Sequence, residues 1–507
     1  MAVSARQIAL QPPRYTALIL AAGLTLSACT TVGPNFSRPE VPATKAYAME
    51  GETTARGLRL DPDLRVAGPW WQAFGSETLN QTVRLALAES PGVAEAGATL
   101  ERFQANEQAG RAALGPQADV SSDAQRQKFN SKAFGFSGAP NASGFSGFGN
   151  RTFNLYSLGG NVRYDLDVFG GGRRRAEQAA ALTARAAYQA DAAYLTLSGQ
   201  VALQAIRIAG LRAQMQLLDQ ILDDDRRLME LAIKAEAIGG IPRTTRTLVE
   251  IQLANDQAAM PPLRRQYDAA RHRLALLVGR SPATWTAPDF ELAQFKVPAD
   301  IPISLPSQLV RKRPDILVAE AQLHAAVAAV GVATADQYPD VRLSARGALS
   351  ALTPGNVLST DSTGFTLFSG ITAPLFDGGA RKAKTRAAEA EARAALARYR
   401  QTVLEAFSQV ADAMAALQTD QQQLAALERA VAASRSEADD TLEAAKLGGA
   451  TAQKVIETRR ELVRNLRALA DAEAQHLADL VQLFAASASD WREAKAAGGQ
   501  GGVASGH

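Results

Sequence analysis

One cysteine, Cys29, in 507 residues leaves no disulfide framework and no multi-cysteine zinc or iron–sulfur site. Aromatics are only 6% of a chain that is 47% apolar, so its core is built from Ala, Leu and Val, which suits closely approaching helices. Charge is almost balanced, 54 Lys and Arg against 51 Asp and Glu, and a net of +3 recruits no nucleic acid through its bulk field. The four histidines (His272, His324, His476, His507) are scattered with no second ligand at helical spacing, so no metal or other cofactor is expected. Gly170-Gly171-Gly172 leads to Arg173 rather than to the Gly-Lys-Ser/Thr of a phosphate loop, and no Gly-x-Ser-x-Gly elbow occurs. Enzymatic chemistry is therefore not expected. The run Asp223-Asp224-Asp225 with Arg226-Arg227 reads as a solvated helix face rather than a calcium site. After the first thirty residues there is no run of eighteen apolar residues, so a membrane crossing has to be a closed β-barrel.

What is present begins with an export signal. Arg6 and Arg14 precede the apolar run Tyr15 to Leu26, about a dozen residues long, which predicts a signal peptide over 1–28. Leu26-Ser27-Ala28-Cys29 resembles the bacterial lipobox, in which the cysteine becomes the lipidated first residue; the alternative is ordinary cleavage after Ala28. Thr30, where an Asp would retain such a lipoprotein, fits sorting to the outer membrane. A covalent lipid on Cys29 anchors the chain through buried methylenes worth about 0.8 kcal/mol each.

The body is a duplication. Pro91 and Pro116 match Pro314 and Pro339 at one offset of 223, Phe169 matches Phe376 at 207, and Gly239-Gly240 matches Gly448-Gly449 at 209. The domain plan is a lipid-anchored segment over 29–89, a first repeat over 90–300, a second over 301–491 and a disordered Gly- and Ala-rich tail over 492–507. Each repeat reads as a helix, two strands, one very long helix, a glycine turn and a return helix. The strands fall near 117–127, 153–168, 340–352 and 362–376, and the hairpins over 173–278 and 381–486. A helix of some 65 residues spans roughly 98 Å. No proline interrupts either one, and a helix that long persists only against neighbours, as a coiled coil.

Between these helices the apolar period shifts from 3.6 to 2. Val341, Leu343, Ala345, Gly347 and Leu349 alternate with Arg342, Ser344 and Arg346, and Tyr156 to Asp167 shows its apolar residues at even positions. Asp119, Ser121, Asp123 and Gln125 mark a wet face, and Phe365, Leu367 and Ile371 a dry one. Strands of about ten residues with this alternation suit an outer-membrane barrel. Four of them cannot close, and lipid tolerates no open edge, so three copies supplying twelve strands are expected. The Phe-, Gly- and Ser-rich connection over 128–150 reads as an outward loop.

On these residues the mature chain resembles the outer-membrane channel components of tripartite efflux pumps, the TolC-like proteins, in their lipoprotein branch, the NodT family. The landmarks are Trp70-Trp71-Gln72-Ala73-Phe74, Tyr164 to Gly170, Pro261-Pro262-Leu263 before the fifth helix, Arg311-Lys312-Arg313-Pro314-Asp315-Ile316, and Pro374-Leu375-Phe376-Asp377-Gly378-Gly379. The resemblance implies a homotrimer with a twelve-stranded outer-membrane β-barrel on a long α-helical periplasmic tunnel. It also implies a periplasmic adaptor and an inner-membrane RND-type transporter as partners, and passive conduction of small molecules such as drugs or metal ions. A type I protein-secretion channel and a non-channel periplasmic coiled-coil lipoprotein are the alternatives.

By the same resemblance the aperture lies just past the glycine turns, with Gly239, Gly240, Gly448 and Gly449 meeting the adaptor. Two acidic aperture positions of the family fall on Lys454 and Glu457. A ring of Glu457 carboxylates would favour cations; the other reading of Glu457 is a solvated coiled-coil charge beside Arg460 or Glu461. The family's gating Tyr and Arg align with Ala445 and Ala450, and Arg246 stands where an acid is frequent. An additional Pro242 marks the first turn as atypical.

Overall fold

The computed structural model describes residues 31–40, 46–47, 49, 58–59, 69–128, 152–298, 301–302 and 306–487. Cys29, the export signal, the loop phenylalanines and the tail lie outside the described residues.

Pro91 and Pro314 are the first residues of two helices of equal length, α2 (Pro91–Ala112) and α6 (Pro314–Ala335), 22 residues each. Proline suits that position because its missing N–H would be unpaired there in any case. Before α2 runs the short α1 (Glu77–Glu89), opened by the Ser76 hydroxyl, which accepts the Leu79 N–H at 3.3 Å. Before α6 runs the short α5 (Pro306–Lys312), of about two turns. The long helices α3 (Gly171–Ala237) and α7 (Ala380–Lys446) each have 67 residues, and their return helices α4 (Arg243–Val278) and α8 (Ala452–Ser487) each have 36. Each long helix is opened by one aspartate that accepts two first-turn N–H groups: Asp167 from Gly172 and Arg173 at 2.7 and 2.8 Å, Asp377 from Gly379 and Arg381 at 2.9 and 3.0 Å.

Two sequence expectations change here. Pro261 and Pro262 lie inside α4 rather than before it. Both are exposed, so water can reach the carbonyls that lose their donors, and the helix continues through them. In addition, α6 is long and apolar enough to cross a membrane, although it contains no run of eighteen apolar residues. Half of its apolar window is buried in protein.

Among the described residues the chain falls into two units. The first comprises residues up to Ser37, Phe103–Thr183 and Gln322–Ala395. It holds one antiparallel sheet in sequence order: β1 (Gln117–Lys128), β2 (Thr152–Leu166), β3 (Asp340–Ala351) and β4 (Thr363–Thr372). The register carries the period-2 pattern across all four strands. Val120 faces Gly160, Ala118 faces Val162, Val162 faces Ala345, and Ala345 faces Leu367. One sheet face is therefore apolar, and Val120, Phe365, Leu367 and Ile371 are all at least 73% exposed in the single chain. The opposite face carries Asp119 beside Asn161 and Arg163, and Arg342 paired with Asp165 at 2.7 Å. β4 ends at Thr372, so Leu375 and Phe376, expected within the strand, lie beyond it at 95% and 93% exposure. In the same unit the segment 32–36 is strapped down by Arg174, which donates to the Val32 and Gly33 carbonyls and to Asn35 Oδ1. Phe36 stacks on His324 at 4.3 Å.

The second unit comprises Arg38–Arg102, Ala184–Ala321 and the chain from Leu396 onward. Its core is mostly Ala, Leu, Val and Ile, as the composition predicts, and it includes a small aromatic cluster. Trp70 and Phe74 are wholly buried and meet Phe484 at 5.9 Å each, the first stacked and the second edge-on. The Trp-Trp-Gln-Ala-Phe landmark is thus a packing anchor. The Arg-Pro-Asp-Ile landmark is structural as well: buried Arg313 donates to the Ala486 carbonyl in the last turn of α8 at 2.9 Å and is held by Asp315 and Gln409.

Candidate functional site: the hairpin turns

The two glycine turns close their helices by the same pair of bonds. Gly239 takes φ 69° and donates to the Glu236 carbonyl while Gly240 donates to Ala235; Gly448 takes φ 76° and donates to Ala445 while Gly449 donates to Ala444. This is the Schellman arrangement, which requires a left-handed residue that glycine adopts at least cost. Ile238 and Leu447 are thereby pushed outward.

Beyond the turns the hairpins differ in their caps. Thr451 caps α8, its hydroxyl accepting the Lys454 N–H at 3.2 Å. Pro242 stands at the same place in the first turn, at the offset of 209, and makes no side-chain cap. It is thus a substitution at the cap position and not an additional residue. Arg246 bonds Glu236 across the turn at 2.6 Å and Glu250 along its own helix at 3.2 Å, so it braces the first tip.

Of the aperture candidates, Lys454 reaches back to Glu437 of α7 at 3.5 Å, and exposed Glu457 accepts from Gln453 at 2.9 Å. Neither neighbour considered for Glu457 engages it: Glu461 pairs with Arg464, and Arg460 turns inward. Ala445 and Ala450, on which the resemblance would place a closing pair, carry no polar side chains.

The expectation that Asp223-Asp224-Asp225 is a solvated face holds only for Asp223. Asp224 and Asp225 are buried, at 4% and 1% exposure. Arg459 of α8 pairs with Asp224 at 3.0 Å, and Arg460 pairs with both Asp225 of α3 and Asp256 of α4. Burial, and next the neighbouring Asp256, push the Asp225 carboxyl up to about 6 in spite of Arg460. Burial also opposes ionisation of Asp256, but hydrogen bonds from Gln252, Asp225 and Arg460 outweigh it and hold that carboxyl below its ordinary value. The sequence did carry a signal for this placement: Asp225 follows buried Ile221 and Leu222 by four and three residues, on the face that meets Val463. Among the described residues no group of three or more His, Cys, Asp or Glu side chains is placed to hold a metal ion.

Comparison with known proteins agrees with this arrangement of duplicated hairpins and sheet. Residues 82–280 and 305–489 match the family model described as "Outer membrane efflux protein". The pyoverdine export outer membrane protein OpmQ of Pseudomonas putida is 28% identical over 480 residues, 95% of this chain and 98% of that protein. Outer membrane protein OprJ of Pseudomonas aeruginosa is 27% identical over 96% of this chain and 98% of its own length. Among solved structures, the outer-membrane channel OprN superposes with a TM-score of 0.80 at 26% identity, covering 91% of this chain and all of that one.

Proposed function

The chain belongs to the outer membrane efflux protein family, and from that premise we propose that three copies assemble into one duct whose tip turns meet a periplasmic adaptor serving an inner-membrane RND-type transporter. As an outer-membrane efflux component it needs a wall closed against lipid. The observation that supports a trimer is the sheet itself: four strands with one apolar face, and with β1 and β4 each paired on one side only among the described residues. An open edge in hydrocarbon leaves backbone N–H and C=O groups unpaired at several kcal/mol each. Joining β4 of one copy to β1 of the next removes every edge and gives twelve strands, an even number within the range of such barrels.

A lipid on Cys29 would add a membrane anchor to each copy. Conduction is passive, and the cargo is a small molecule of the kind that relatives export, pyoverdine being the one named for OpmQ. At the aperture, three copies of Glu457 present carboxylates and three of Lys454 present ammonium groups tethered to Glu437. The test is electrophoresis of unheated and heated protein in mild detergent, together with conductance in planar bilayers. A heat-sensitive trimer that conducts supports the duct. A monomer freed from membranes without detergent, giving no conductance, overturns it in favour of a periplasmic coiled-coil lipoprotein.

A further inference from the structure

The Asp225, Asp256 and Arg460 cluster joins all three helices that meet there: α3 and α4 of the first hairpin and α8 of the second. Between Ala452, where α8 begins, and Arg460 the helix rises roughly 12 Å, so the cluster sits above the turns and below the apolar layer of Leu218, Ile221, Leu222 and Val463. It is largely shielded from water: the side chains of Asp225, Arg460 and Asp256 are 1%, 11% and 20% exposed. Counting charges exposes a mismatch. Asp224 has its own cation in Arg459, with the largely exposed Arg227 at 3.9 Å, while Asp225 and Asp256 face Arg460 alone. Gln252 adds only a neutral donor, to Asp256 Oδ2 at 2.9 Å. Two ionised carboxylates on one guanidinium leave a negative charge in a poorly hydrated place, and while Arg460 donates to Asp225 Oδ1, Oδ2 is buried with no hydrogen-bond donor among the described residues. Buried like charges resolve such a conflict by sharing one proton.

We propose that Asp225 and Asp256 share a single proton over Arg460, making this cluster a proton-responsive clasp that ties the second hairpin to the first and restrains the tip more firmly in mild acid than at neutral pH. The direction follows from linkage. A carboxyl whose folded value is raised, from 3.8 to about 6 for Asp225, contributes stability that is complete below 3.8 and is lost as pH rises through about 6. Asp256, held below its ordinary value, loses its contribution only at pH under 3.8 and does not move between pH 5 and 8. Above the transition the clasp carries its full charge conflict, and the hairpins separate more readily. This inference rests on the reading of the chain as a duct opened at its tip.

The full-length protein in detergent, followed by hydrogen exchange of residues 452–464 with intrinsic rates corrected for pH, reads the clasp without any assumption about conduction. Protection is expected to rise several-fold from pH 7.5 to 5.5 in the wild type. Asp225→Asn, already neutral, should hold the acid-like protection at both pH values; Arg460→Gln should be weakly protected at both, and Asp223→Asn should behave as wild type. In planar bilayers, open probability should fall over the same pH range in the wild type and not in Asp225→Asn. Wild-type protection that ignores pH, or an Asp225→Asn variant that keeps the wild-type pH response, overturns the shared proton. Exchange that responds to pH while conductance does not overturns the restraint on the tip. A wild type that exchanges as expected yet never conducts instead removes the duct reading beneath it.

Discussion

Ile238 and Leu447 occupy equivalent places in the two hairpin turns, each the last residue before a left-handed glycine and each nearly bare, at 85% and 89% exposure. Apolar side chains at matched positions of both turns offer a partner two similar contacts per protomer. The double variant Ile238→Ser with Leu447→Ser should leave thermal stability within about 0.5 kcal/mol, since nothing buried is removed. It should weaken capture of a periplasmic adaptor by on the order of tenfold or more, as expected from exposing one or two side chains worth 1.5–3 kcal/mol of burial each. Calorimetry and pull-down with purified adaptor check the two parts.

The turns themselves tolerate little change in backbone. A Cβ on Gly239 or Gly448 would meet nothing within 4 Å, so the penalty of alanine is conformational only, about 1–2 kcal/mol at each site. Exchange should accelerate at the turn and the neighbouring helix ends while the Trp70 core remains protected.

Trp70→Ala removes the largest wholly buried side chain of the second unit and its stack on Phe484. A loss of about 3–5 kcal/mol is expected, read as a lowered melting temperature. Phe484→Ala in the same background should cost less than it does alone, because the two rings share one contact.

Glu473 on α8 keeps part of its side chain in water, yet partial desolvation by its neighbours and then the nearby Glu428 raise its carboxyl above the ordinary value. A raised carboxyl gives stability that is full below its unfolded value of 4.5 and fades as pH rises through the folded one. Glu473→Gln should therefore gain melting temperature over the wild type as pH rises from 4 to 8, with the difference smallest at pH 4.

With Glu457 and Lys454 lining the aperture as proposed, Glu457→Gln should reduce cation preference and Lys454→Gln should increase it, both effects falling with added salt as exposed charges are screened. Reversal potentials in asymmetric KCl measure the change.

Much of the fold was legible because it is periodic and repeated. The constant offset between Pro91 and Pro314 and between Pro116 and Pro339 reported two helices of one length, and the structure places both leading prolines at helix starts. The alternation in Val341 to Ser350 and in Phe365 to Ile371 fixes which faces are alike, and the strand register puts those faces together. Pro261-Pro262 misled because proline usually marks a boundary; here the pair sits on an exposed side where water satisfies the freed carbonyls. Arg460 gave no sign of its partners, since Asp225 and Asp256 lie more than two hundred positions away.

Periodicity, proline placement and the paired glycines decided in one dimension that this chain makes two long hairpins and two pairs of half-apolar strands. Those are local properties, set by backbone sterics and by which residues recur on one face. Which aspartate is buried, which arginine it meets and how many cations two carboxylates must share depend on helices distant in sequence coming within a few ångströms, where water is excluded and charge must be balanced. Only the tertiary structure decides that, because electrostatic energy in a dry contact is a property of neighbours in space.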